Sequence, residues 1–423
     1  MSRVTLTDLA SLYHGGKPKG ITSVCSAHPL VLRAALRHGR ETGATVLIEA
    51  TCNQVNHLGG YTGMTPQDFA TLVHSIAAEE ACPPELVILG GDHLGPNPWR
   101  DQRADAAMLQ AERMVAAFVA AGFAKIHLDA SMGCAGEPVA LDDVATANRA
   151  ARLAAVAERT ARDAGVPPPL YIIGTEVPPP GGADHALAEI RPTDPDAARH
   201  TLAVHRQAFA DNGLDDAFSR VIGLVVQPGV EFGNRNVIAY DPAPARGLVA
   251  ALAEEPGIIF EAHSTDYQGT EPLSRLVQDG FAILKVGPEL TFVLREALYA
   301  LDLIASDLLP GYGTRPLYSE MERLMLASPD HWRSHYQGTA GDERMLRHYS
   351  LSDRIRYYWT RKEAMQAVAR LIHALRGQLV PLPLIRQHLP QAEAFAAHPL
   401  EPEDLLVDRI TDTLRSYHTA CAV

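Results

Sequence analysis

Aspartate and histidine stand side by side at Asp92-His93, inside the string Gly90-Gly91-Asp92-His93-Leu94-Gly95-Pro96-Asn97. That string closes a short apolar run. Side chains alternate in direction along an extended chain, so one of the pair can bind a metal while its neighbour faces a substrate proton. Similar polar strings close other apolar runs: Glu49-Ala50-Thr51-Cys52-Asn53-Gln54, His127-Leu128-Asp129-Ala130-Ser131, Gly174-Thr175-Glu176, Glu261-Ala262-His263-Ser264-Thr265-Asp266 and Leu284-Lys285-Val286-Gly287. If the strings converge, His93, His263 and Glu176 supply two imidazoles and a carboxylate with one position left open. That is a donor set for a catalytic divalent metal. Taken singly, each histidine reads as a hydrogen-bonded core or rim residue. Their shared place at run ends is what points to a site.

A second chemistry is anion binding. Glycine-rich loops and helix N-termini offer backbone N–H groups to phosphate. Gly181-Gly182, Ser264-Thr265, and Lys285 with Gly287 are the candidates, each also explicable as a simple turn. An ATP site is disfavoured. His14-Gly15-Gly16-Lys17-Pro18 lacks the GxxxxGK[ST] order, and no GxGxxG follows a strand-like run.

Positioning such residues requires a frame that brings run ends together. Eight near-continuous apolar runs recur, at Ile21–Ala27, Thr45–Ala50, Leu86–Gly90, Lys125–Asp129, Leu170–Glu176, Val221–Val226, Ile258–Ala262 and Ala282–Val286. Runs apolar on both faces suit strands of a buried parallel sheet. Amphipathic stretches separate them: one opens at Thr65-Pro66-Gln67-Asp68 with a cap residue and a first-turn proline, and others span 104–121 and 145–164 before glycines. Eight β-then-α units predict an α/β fold, a (β/α)8 TIM barrel, whose working residues lie at the C-terminal strand ends. A doubly wound sheet is the alternative. A barrel takes about 250 residues, so 1–309 is read as the barrel and 310–423 as a helical extension packed on it. Its helices are expected at Leu317–Ala327, Ser352–Gly377 and Glu403–Tyr417, with Pro-rich joints between them.

Bulk properties narrow the function classes. A formal net charge of −13 argues against nonspecific nucleic-acid binding, which needs a basic face. No apolar run is long enough to span a bilayer. The N-terminus lacks the basic-then-apolar layout of a signal peptide, so a cytoplasmic location is expected. Five scattered cysteines without a CxxC suit a reduced compartment and small buried roles.

At its strand ends the chain resembles the class II, metal-dependent ketose-bisphosphate aldolases. Gly91-Asp92-His93 is similar to the family's Asp-His, which implies Asp92 as proton-transfer acid and His93 as a zinc ligand. Asp129-Ala130-Ser131 resembles the family's Asp-(Gly/Ala)-Ser, Glu176 with Gly181-Gly182 its Glu and Gly-Gly loop, and Lys285-Val286 with Thr291 its Lys-Val-Asn…Thr. His263 falls at the position of a zinc histidine. The family's strand-6 histidine has no counterpart, because Val225 to Glu231 offers only Gln227 or Glu231. Ser264-Thr265 replaces a glycine-rich phosphate loop. Over nearly the whole chain, the string at 90–97 and Tyr349-Ser350-Leu351-Ser352-Asp353-Arg354-Ile355-Arg356-Tyr357-Tyr358-Trp359 resemble the Z-type subunits of tagatose-bisphosphate aldolase, once labelled tagatose-6-phosphate kinases.

The resemblance implies an accessory subunit that stabilises and activates a catalytic Y-type aldolase subunit, in an oligomer. The retained acids and histidines support a different reading, a metal-dependent aldolase or epimerase acting alone on a ketose or its phosphate. A sugar kinase is the third. Under either of the first two, Asp92, Glu176 and Asp129 are the expected catalytic groups. A divalent metal, expected to be zinc, would sit on His93, His263, Glu176 and Gln227. Substrate or phosphate would meet Glu49, Asn53, Ser131, Gly181, Gly182, Ser264, Thr265, Lys285, Gly287 and Arg354. Arg354 and its aromatic neighbours also have a plainer use, packing the extension onto the barrel.

Overall fold

The structure, a computed structural model, describes residues 3–174 and 190–422. Eight parallel strands close a barrel in chain order: β1 (Ile21–Val24), β2 (Val46–Thr51), β3 (Val87–Leu94), β4 (Lys125–Leu128), β5 (Leu170–Gly174), β6 (Val221–Val225), β7 (Ile259–Ala262) and β8 (Phe281–Val286). β8 pairs with β1, with Ile21 opposite Ile283, so the sheet has no free edge. After β6 a short antiparallel ribbon pairs Glu231–Phe232 with Val237–Ile238. The doubly wound alternative is thereby excluded.

Alternation along each strand divides the residues between two environments. Val46, Ile48 and Ala50 of β2, and Phe260 and Ala262 of β7, face the helices in the outer core. Their neighbours fill the barrel in layers. The lowest layer is apolar, with Ile21, Leu47, Ile172, Ile259 and Ile283, and Leu6 and Leu9 of the N-terminal segment belong to the same cluster. Two residues further along, the inward positions are Ser23, Glu49, Lys125, Glu261 and Lys285, all buried. Above these come Asp92, His127 and His263 at the C-terminal rim. An apolar floor thus supports a charged layer, which supports the imidazoles.

Helix starts follow local chemistry. Thr65 caps Pro66–Glu79, accepting from the Asp68 amide, while Asp68 reaches back to the Thr65 amide. Asp142 caps Asp143–Ala164, which ends at Gly165 in the left-handed conformation.

Beyond Leu308 the chain is helical, but one expectation changes. The helix predicted over 352–377 is broken. A helix at Ala340–Tyr349 precedes it, then a five-residue 3-10 turn at Arg354–Tyr358, then Lys362–Leu375. The cause is Asp353, which takes φ +45° and buries its carboxylate on Arg295 Nε at 3.1 Å and Thr291 Oγ1 at 2.8 Å. The last helix, Pro402–Cys421, packs against Pro29–Thr42, which follows β1, and Thr270–Gln278, which follows β7. It also meets Pro288–Leu308, which follows β8. It therefore completes the helical ring between the seventh and first units. Gly20 N–H donates to the Cys421 carbonyl at 2.9 Å, fastening it beside β1.

Candidate active site and metal centre

The rim geometry begins with β3. Pairing with β4 loses register between Gly91 and Leu94, and His93 within that bulge has φ +50°. A bulge re-aims side chains, and here it turns both Asp92 and His93 toward the axis. The glycines of this string are steric necessities. A Cβ on Gly90 would meet Glu49 Cγ at 2.7 Å, and one on Gly95 would lie 1.6 Å from the Asp129 carbonyl oxygen.

Asp92, His93, His127 and His263 each offer a ligand atom, and these atoms lie within 4.8 Å of one another. Each imidazole is oriented from behind. His93 Nδ1 meets Asp129 Oδ2 at 2.8 Å, His127 Nε2 meets the Gly174 carbonyl at 2.9 Å, and His263 Nε2 meets Glu261 Oε1 at 3.0 Å. Ser131 in turn donates to Asp129 Oδ1 at 2.9 Å. Metal-binding histidines are characteristically fixed through the second ring nitrogen in this way. Three imidazoles and a carboxylate, each imidazole so held, fit a divalent cation of borderline softness.

Electrostatics follow from the charged layer below. Lys125 Nζ lies 2.7 Å from both Glu49 Oε1 and Glu261 Oε2, all three fully buried. Lys285 contacts Asp92 and approaches Glu261 at 3.3 Å and Glu49 at 3.6 Å. Burial opposes a charge on Asp92, but His93 and Lys285 outweigh it and hold the carboxyl well below its usual range. Burial, helped by Lys285, lowers His263 to about 3, so this ring is neutral and able to ligate. His93 moves the other way: burial lowers it, yet Asp92 and Asp129 leave it raised. Burial lifts Glu231 to about 7 and Asp266 to about 6.

Asp92, His93, His263, Lys285, Glu231 and Asp266 open onto a cavity of about 1580 Å³. The structure brings Asp92, His93, Asp129, Ser131, His263, Ser264, Lys285, Gly287, Asn53 and Arg354 to its wall. Other expectations change. Glu49 lies beneath the site, bonded to Ser23 and Lys125, and does not line the cavity. Thr265 is fully buried and donates to the Lys285 carbonyl at 2.6 Å, because the Tyr417 hydroxyl of the C-terminal helix holds its own carbonyl at 2.7 Å. The Gly287 amide donates to Asp266 Oδ1 at 3.0 Å, so an internal carboxylate takes the place expected for phosphate. Gln227 lines the cavity, but its side-chain oxygen accepts from the Gly229 and Val230 amides at 2.8 and 2.9 Å, which commits the oxygen to that turn. Glu176, Gly181 and Gly182 lie outside the described residues.

Three members of the assembly are absent from the sequence reading: His127 as a donor, and Lys125 and Glu261 as supports. Alternation was the available signal. Counting back two residues from His263 gives Glu261, and counting two along from Lys125 gives His127.

No helix among the described residues is long and apolar enough to cross a membrane. Residues 6–422 match the family model described as D-tagatose-1,6-bisphosphate aldolase subunit GatZ/KbaZ-like. A protein of Agrobacterium fabrum named D-tagatose 6-phosphate 4-epimerase is 61% identical over 415 residues, 98% of each chain. The crystal structure of a probable tagatose 6 phosphate kinase from Sinorhizobium meliloti superposes with a TM-score of 0.88 at 52% identity, covering 95% of this chain and 100% of that one. With a family model spanning almost every residue and a relative this similar, the chain belongs to the GatZ/KbaZ-like family of D-tagatose-1,6-bisphosphate aldolase subunits.

Proposed function

We propose that this chain is a metal-dependent ketohexose-phosphate epimerase that inverts C4 of D-tagatose 6-phosphate without a catalytic partner. The observation that carries the reading is the convergence of Asp92, His93, His127 and His263 within 4.8 Å of one another, each imidazole oriented from behind, with Asp92, His93 and His263 on the cavity wall and His127 buried behind them. A purely stabilising subunit has no use for such an arrangement. The name of the Agrobacterium relative supplies the substrate and the reaction.

In this reading His93, His127 and His263 hold a divalent cation, with zinc the expected ion. When bound, that ion supplies Lewis-acid polarisation of substrate oxygens. C4 is not adjacent to the C2 carbonyl, so its C–H bond is not acidic. The C3–C4 bond, however, can break as in an aldol cleavage. Asp92, held as a carboxylate, takes the O4 proton as that bond breaks and its electron pair moves toward C2 as an enediolate. The Lys285 ammonium beside Asp92 favours the developing negative charge. After the C4 aldehyde turns its other face, the C3–C4 bond re-forms and the proton returns to O4. Glu231, lifted by burial to about 7 on the cavity wall, is a second group able to exchange that proton near neutral pH.

A second reading, an accessory subunit of a tagatose-bisphosphate aldolase that activates a Y-type partner, is favoured by the family match. One experiment separates the two. The purified chain is assayed with D-tagatose 6-phosphate alone, and with D-tagatose 1,6-bisphosphate in the presence and absence of a Y-type subunit. Conversion to D-fructose 6-phosphate by the chain alone supports the epimerase. Activation of the partner without conversion supports the accessory subunit.

A further inference from the structure

We propose that Arg356, on the 3-10 turn Arg354–Tyr358 of the C-terminal extension, is the principal contact for the phosphate group of a sugar-phosphate ligand. The inference rests on the ketose-phosphate reading above and moves the phosphate contact from the backbone amides of the loops that follow β7 and β8 to a side chain of the extension. Barrels often bind phosphate at those loops. Here the place is taken from within. Asp266 accepts from the Gly287 and Glu289 amides at 3.0 and 2.8 Å, and Glu289 accepts from the Tyr267 amide at 2.6 Å. Glu231 joins them, and burial raises all three carboxyls, to about 6, 8 and 7 for Asp266, Glu289 and Glu231. A phosphate dianion added there would compete with Asp266 for its amides and face neighbouring carboxyls.

Arg356 brings a cation to the wall of the same cavity, near enough for its charge to act on Asp266. Its guanidinium is half-buried and lies 4.5 Å over the Tyr357 ring. Its acceptors are all neutral: the Ser352 and Asp353 carbonyls and the Tyr357 hydroxyl. The adjacent carboxylate that would ordinarily pair with it, Asp353, is turned inward onto Arg295 and Thr291 by its left-handed backbone. Among the described residues no carboxylate forms an ion pair with Arg356. Sequestering a guanidinium without an anion is costly, and its planar fork matches a phosphate bidentately. Arg354, on the same cavity and 5.3 Å over the same ring, adds positive charge beside it.

The test is calorimetric titration of the purified full chain with inorganic phosphate, D-tagatose 6-phosphate and free D-tagatose. Arg356→Met is expected to weaken both phosphate-bearing ligands by at least about tenfold while leaving free D-tagatose unchanged. Arg356→Lys, which keeps the charge but loses the fork, is expected to fall between, and thermal midpoints of both variants establish that they fold. Phosphate affinity unchanged in Arg356→Met, or lost only in Ser264→Ala, overturns the proposal. So does a wild-type chain that binds no phosphate at millimolar concentration. Because inorganic phosphate binding needs no turnover, Arg356-dependent binding in a chain without epimerase activity would sink the proposed function and leave this contact standing.

Discussion

Replacing Lys125 by methionine is the sharpest probe of the charged layer that carries the site. The ammonium lies 2.7 Å from carboxylate oxygens of both Glu49 and Glu261, and none of the three side chains is exposed. At an effective dielectric near 20, two charges 2.7 Å apart attract by roughly 6 kcal/mol. Two such contacts do not translate into twice that loss. The desolvation cost of the ammonium disappears with it, and Lys285, 3.3 Å from Glu261 and 3.6 Å from Glu49, still neutralises part of the charge. The expected destabilisation is the about 3–5 kcal/mol typical of breaking a buried pair, a large share of the 5–15 kcal/mol that holds a typical domain folded. Its pH dependence has a definite sign. Burial opposes ionisation of Glu261, but Lys125 and Lys285 hold its carboxyl well below the usual range. A depressed carboxyl stabilises the fold above its unfolded value, near 4.3, and that contribution is lost as pH falls. The gap between wild type and Lys125→Met should therefore persist from neutral pH to about 4 and narrow only below it. Urea unfolding followed by circular dichroism from pH 7.5 downward measures it. Equal stability of the two proteins, or a gap that does not change with pH, would show that Lys125 does not hold these carboxylates ionised.

Three further outcomes are expected. His127→Ala should weaken divalent-metal binding by at least about tenfold, read by competition with a chromophoric chelator, and unchanged affinity would remove His127 from the donor set. Burial and the neighbouring Asp266 raise Glu289 to about 8, so its stabilising contribution is present below its unfolded value and lost as pH rises through 8. Glu289→Gln should therefore gain stability relative to wild type between pH of about 5 and 9, seen in paired thermal midpoints, and a constant offset would contradict this. Truncation after Glu401 should abolish cooperative unfolding, because Leu406, Ile410 and Tyr417 are buried against ring helices and β1. A soluble, cooperatively unfolding product would show the barrel closing without that helix.

Much of this was legible in the chain itself, for physical reasons that can be named. Strands buried on both faces read as apolar runs, and the polar strings at their ends mark the rim, which is how Asp92, His93 and His263 stand out. Alternation carried more than its first use: Ile259-Glu261-His263 and Lys125-His127 are inward residues of single strands. Other features depend on tertiary pairing that no local pattern encodes. Nothing near Gly287 in sequence announces that Asp266 takes its amide, since the partner comes from the loop after β7. Thr265 is withdrawn from the cavity by Tyr417, 152 residues away. The amphipathic pattern over 352–377 suits a helix, and the turn at Asp353 wins because Arg295 and Thr291 bind its carboxylate. The ring position beside β1 is filled from the far end of the chain for the same kind of reason.

Epimerisation at C4 by this chain alone is tested by following D-tagatose 6-phosphate by NMR in D2O with the purified, zinc-loaded chain as the only protein. Conversion to D-fructose 6-phosphate is expected with hydrogen retained at C4, because the C3–C4 bond and no C4–H bond is broken. The same reaction should be lost in His93→Ala. No conversion by the wild-type chain, or product carrying deuterium at C4, would contradict it.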